Sequence, residues 1–178
     1  MKFLTILLFV FTSISPSTLE DEKIVWNENH RLSWSDFKAP HRSGVSYVAS
    51  TSSGISFSYA SSERNGKIEL NITVHSNFYP ESSWVNPKEA SAYILAHEQA
   101  HFDISEIHAR ILRKKISETT FSKKAKEELT NLYKEVDKMR KAMQHLFDKE
   151  SDHSKIKEKE VEWEAYIKQQ LKDYDRWK

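Results

Sequence analysis

Two histidines stand four residues apart at His97-Glu98-Gln99-Ala100-His101, with a glutamate directly after the first. On an α-helix, four residues advance the chain by about 400° and ~6 Å, so both imidazoles return to one face and can share one Zn²⁺. Glu98 sits one position round from His97, where its carboxylate reaches a water on the metal without ligating the ion. The metal lowers the pKa of that water toward about 7, and Glu98 accepts its proton. This spacing is the helix pattern of zinc-dependent peptide hydrolysis. Ile94, Leu95, Phe102 and Ile104 flank it. They predict a partly buried wall, where an imidazole needs a metal or a hydrogen bond.

A catalytic zinc normally takes a third protein ligand. His108 is on the same face as His101, but on a continuous helix it lies about 10 Å further along, so it is assigned a structural or supporting role. Glu106 lies about 140° around the helix from His101 and is rejected as a ligand. The third ligand must then come from another element. The polar segment Asp148–Ser154 offers Asp148, Glu150, Asp152 and His153. His153 is preferred because imidazole suits zinc, with Asp148 next. Asp103 is read as a hydrogen-bonding or surface charge.

The elements that must position these groups follow from composition and periodicity. The chain has 178 residues, enough for one domain with a real core. It has no cysteine, which excludes disulfides, thiolate metal sites and thiol nucleophiles. Lys plus Arg is 27 and Asp plus Glu is 26, so there is no overall charge footprint for nucleic acid. Three glycines argue against a phosphate-binding loop. Lys2, the apolar run Phe3–Phe11 and the small polar residues that follow form the three-part pattern of a signal peptide, expected over residues 1–18. The run is shorter than the ~20 residues that span a bilayer, so no stable membrane anchor is expected after cleavage. Residues 19–178 are read as one domain in the periplasm or outside the cell.

Residues 24–84 are rich in Ser, Thr, Val, Ile and aromatics, and residues 86–178 in Lys, Glu, Ala and Leu. Strands first and helices after is an α+β order. Val45–Ser50, Ile55–Tyr59 and Lys67–His75 alternate with period two, which predicts an antiparallel meander. A first helix is expected from Pro87, capped by Asn86, to Ile116. A second, capped by Ser122, carries an apolar stripe from Ala125 to Leu146. A third carries Glu160, Trp163, Ile167, Leu171 and Tyr174 at helical steps. The expected fold is therefore a small antiparallel sheet packed on the zinc-site helix, with two further helices. Ile68–Asn77, just upstream of that helix, is expected to wall the cleft and to offer an edge to an extended peptide.

At several of these positions the sequence resembles a bacterial family of predicted secreted zinc-dependent proteases, catalogued as a domain of unknown function. The matching pieces are Trp34 to Phe37, Ser83-Trp84, Leu95 to Ile104 (LAHEQAHFDI) with Glu106, Ala109 and Arg110, then Phe147-Asp148, Glu150, Asp152-His153 and Trp163. The resemblance implies a zincin-like domain, export and peptidase activity. In that family a tyrosine precedes the late aspartate and a glycine follows the late histidine. Here those positions hold Phe147 and Ser154. The retained histidine supports His153 over Asp148, and a tyrosine hydroxyl that helped stabilise an oxyanion would be missing.

Two functions remain open at this point. One is a zinc metallopeptidase acting on a peptide or protein, with His97, His101 and His153 as ligands and Glu98 as general base and then general acid. The other is a non-catalytic exported domain, with a structural zinc or a peptide- or envelope-binding role that could use Trp26, Trp34 and Trp84. Tryptophans in a chain of this size more often belong to the core.

Overall fold

The structure is a computed structural model that describes residues 22–64 and 67–178. The leader expected over residues 1–18 lies outside the described residues. The fold is α+β. A long hairpin, β3 (Ser53–Arg64) and β4 (Lys67–Phe78), pairs antiparallel along its length. β1 (Ile24–Val25) joins the other side of β4 at Asn77 and Phe78, which makes β4 the central strand. A separate two-stranded piece pairs β2 (Ala49–Ser50) with β5 (Trp84–Val85).

This corrects the expected meander. Val45–Ser50 is strand only at its end, and it pairs with β5 rather than with the hairpin. β2 and β3 are separated only by Thr51 and Ser52, which leave the sheet to bond elsewhere. Thr51 Oγ1 donates to the Glu98 carbonyl, and Ser52 N–H donates to Ser83 Oγ.

Three helices follow. The first, α1 (Ala92–Ser117), starts five residues later than expected. Ser91, whose hydroxyl accepts the Ile94 N–H, is its cap, while Asn86 holds a turn ahead of it by accepting the Lys88 N–H. The second, α2 (Ala125–Ser151), runs well past Leu146 and takes Asp148 onto a helix. The third, α3 (Lys157–Asp173), matches the expected stripe. None of the helices among the described residues is long and apolar enough to cross a membrane.

The core is organised around α1. Ala109 and Leu112 pack with Ile55 and Val74 of the hairpin and Val136 of α2. Ile104 and Ile107 pack with Phe147 of α2 and with Trp163 and Ile167 of α3. Phe102 packs with Phe78, Leu32 and Phe37. Because partners surround it, α1 is buried on every side from His97 to Arg110, apart from partly buried Ala100. Two of its buried acids, Asp103 and Glu106, are satisfied by other side chains. Asp103 accepts from Trp26 Nε1 (2.7 Å), Gln99 Nε2 (2.9 Å) and Arg31 Nη1 (3.1 Å). Glu106 binds Arg110 (2.9 Å) and Arg113 (3.0 Å), which accounts for its burial without a metal.

His108 also has a structural place, donating Nδ1–H to the Ile104 carbonyl at 2.8 Å. Its pKa is lowered, first by burial and further by Arg140, against the opposing effects of the Ile104 carbonyl and Asp137. A histidine buried neutral contributes stability above its unfolded value of 6.5, and that stability is lost as pH falls toward the lower folded value. His108→Leu should flatten this acid-side loss, read as a smaller difference between urea midpoints at about pH 7.5 and about pH 5.5. Equal losses in wild type and variant would contradict it.

Candidate metal centre

The second and third turns of α1 carry His97, Glu98 and His101 inward, with relative exposures of 4%, 3% and 7%. Asp148, in the last turn of α2, meets them. His101 Nε2 lies 3.2 Å from His97 Nε2 and 3.0 Å from Asp148 Oδ1, and His97 Nε2 lies 3.4 Å from the same oxygen. These three residues form a group that could hold a metal ion. A tetrahedral zinc with bonds of about 2.0–2.1 Å separates its ligand atoms by about 3.3 Å, so the triangle has the right size. Beside the triangle, Glu98 Oε2 is buried and has no hydrogen-bond partner. A carboxylate oxygen in that state is costly unless something of opposite polarity is brought to it.

Phe147 sets the pose of both imidazoles. It is 1% exposed, lies nearly parallel to the His97 ring at 4.5 Å and tilts against His101 at 5.2 Å. On the far side of His97, Nδ1 donates to Glu160 Oε1 of α3 at 2.8 Å.

The electrostatics suit a cation. Burial opposes charge on His97, but hydrogen bonds to Asp148 and Glu160 and the nearby Glu98 outweigh it and raise its pKa to about 9. Burial likewise opposes charge on Asp148, yet the two histidines hold its carboxyl well below the usual carboxylate range. Both shifts have one origin: three carboxylates converge on two imidazoles, leaving an excess of negative charge that a divalent ion would neutralise.

The group opens into a cleft of about 260 Å³. One wall is Tyr47–Thr51, another is Gln144, His145 and Asp148 of α2, and His153 and Ser154 close the end. The expected wall, Ile68–Asn77, does not line it. β2 takes that place, because the Thr51 bond to the Glu98 carbonyl docks the strand on α1.

His153, the preferred third ligand, stands behind Asp148. Its Nδ1 is 3.4 Å from Asp148 Oδ1, its side chain is 39% exposed, and its ring stacks on Tyr47 at 5.1 Å. The structure thus brings His97, Glu98, His101 and Asp148 together and puts His153 next to them. Phe147 is a packing position under the imidazoles and does not line the cleft, whereas Tyr47 does.

Asp152, His153 and Ser154 follow α2 with φ of 48°, 51° and 71°, three successive non-glycine residues in the left-handed region. Each such residue costs roughly 1–2 kcal/mol. Ser154→Gly should therefore raise stability by about 1 kcal/mol, seen as a higher urea midpoint with unchanged metal content. An unchanged or lower midpoint would contradict the strain.

Glu160 was missed in the sequence, although a signal was there. It falls in register with the buried stripe Trp163–Ile167–Leu171, and a carboxylate on a buried stripe needs a partner.

Fold and site together define an α+β protein with two buried histidines and a partly buried aspartate in a group able to hold a metal ion. The chain belongs to the family described as bacterial protein of unknown function (DUF922), which matches residues 30–154. No curated protein and no solved structure matches it.

Proposed function

We propose that the chain is an exported zinc-dependent metallopeptidase. The observation that carries this reading is the unpartnered, buried Glu98 Oε2 beside a zinc-sized triangle of ligand atoms. A zinc that only stapled helices together would need no carboxylate there, and burying one without a partner would be a net cost.

His97, His101 and Asp148 would hold the ion, and His153 is close enough to compete with Asp148 for the third position. Bound zinc would supply Lewis acidity, polarising a scissile carbonyl and acidifying water. Glu98 would take the proton from the attacking water on Oε2 and return it to the leaving amine. Phe147 keeps the imidazoles in place during this transfer.

β2 gives the substrate its direction. Val48 and Ser50 turn their backbone groups toward β5, as the 2.7 Å bond from Asn86 N–H to the Val48 carbonyl shows. Ala49, 5% exposed and lining the cleft, therefore turns its N–H and C=O to the other edge, where an extended peptide entering the cleft would pair. The proposed substrate is an unfolded or looped segment of a peptide or protein. The Phe3–Phe11 run supports export.

The test is metal content of the purified chain together with cleavage of a mixed peptide library. One zinc per chain with zinc-dependent cleavage supports the reading. A folded chain that takes up no zinc overturns it. One that binds zinc without any cleavage leaves the non-catalytic alternative.

A further inference from the structure

We propose that Glu160 is a positioning residue for the metal centre, fixing the tautomer and orientation of His97. The inference rests on the metal-site reading above and extends the site to a helix outside the family match, which ends at residue 154.

His97 Nδ1 lies 2.8 Å from Glu160 Oε1. An ionised carboxylate only accepts, so Nδ1 carries the hydrogen. With Nδ1–H held by Glu160, Nε2, which faces His101 and Asp148, is the nitrogen left to give up its proton and offer a lone pair when a metal binds. With His97 only 4% exposed, water is a poor substitute for this partner. A carboxylate on the outer nitrogen also makes the imidazole a stronger donor to a metal.

Glu160 is itself held in place. Trp163, one turn further along α3, is buried against Phe147 at 5.3 Å between ring centres. Its Nε1 donates to Glu150 Oε2 of α2 at 2.8 Å. Trp163 and Ile167 join the Ile104, Ile107 and Phe147 cluster. The ring that supports the two imidazoles is thus also the ring on which α3 docks. The Glu160 side chain is 11% exposed, which keeps its bond to His97 from being screened as a surface pair would be.

The experiment measures Zn²⁺ affinity by competition with a chromophoric chelator for wild type, Glu160→Gln and Glu160→Ala. Thermal melts of the metal-free proteins accompany it, with absorption spectra of the Co²⁺-substituted forms. Glu160→Ala should bind zinc about 10–100-fold more weakly at unchanged stoichiometry, with an altered Co²⁺ spectrum. Glu160→Gln retains an oxygen that accepts from Nδ1–H and should recover most of that loss. Wild-type affinity in Glu160→Ala would overturn the inference while leaving the metal site standing. Equal weakening in both variants, matched by equally lowered metal-free melting temperatures, would also overturn it, since loosened packing of α3 would then be the cause. A wild type that binds no zinc is a failure of the metal-site reading itself, and the inference falls with it.

Discussion

Glu98→Gln is expected to keep one zinc per chain and to lower peptide hydrolysis by at least about 10²–10⁴-fold, the usual contribution of a positioned general base. Glutamine has the shape of glutamate but cannot take a proton from water. Glu98 lies outside the group formed by His97, His101 and Asp148, so metal affinity should barely change. Stability of the metal-free protein should hold or rise. The wild-type carboxylate is 3% exposed with Oε2 unpartnered, and a neutral amide is cheaper to bury than a charge. The measurement is zinc content, a urea melt and library cleavage on the same preparation. Hydrolysis at the wild-type rate would remove Glu98 from the mechanism, and loss of zinc would make it a ligand.

Asp148→Ala is expected to lose zinc, because it removes one corner of a three-atom triangle and leaves two imidazoles. The consequence is large and can be read without any substrate. At zinc about 1,000-fold above its dissociation constant, wild type should gain about 4 kcal/mol, or roughly 10 °C in melting temperature for a domain of this size. The variant should show little of that gain. His153→Ala is the matched comparison. Its imidazole is 39% exposed and touches the triangle only through Asp148, so it should keep most of the zinc-induced shift. If His153→Ala loses the shift and Asp148→Ala retains it, the third ligand is His153, as the sequence alone suggests.

Part of this protein is legible without coordinates. The i, i+4 spacing of His97 and His101, with Glu98 between them, is a local property of a helix and needs nothing from the rest of the chain. The long hairpin and the three helices are also local, because alternation and helical stripes report which face is buried. The same patterns place Glu160 on a buried stripe without saying what it meets.

What the tertiary structure decided are the choices that depend on how separate elements meet. α2 continues five residues past Leu146 and sets Asp148 facing the histidines, while the left-handed exit at Asp152 swings His153 to the margin. Asp148 thus stands nearer the two imidazoles than does His153, the residue that ligand chemistry alone favours. β2 pairs with β5, and this makes Tyr47–Thr51 the wall of the cleft in place of Ile68–Asn77. α1 carries charges at Asp103 and Arg110 and is nonetheless buried all round from His97 to Arg110, Ala100 apart, because Trp26, Arg31 and the backbone of Leu171 arrive to pair with them. The reason is common to all three. Periodicity records whether a side chain is buried, while a partner tens of residues away in sequence is fixed only when the elements dock.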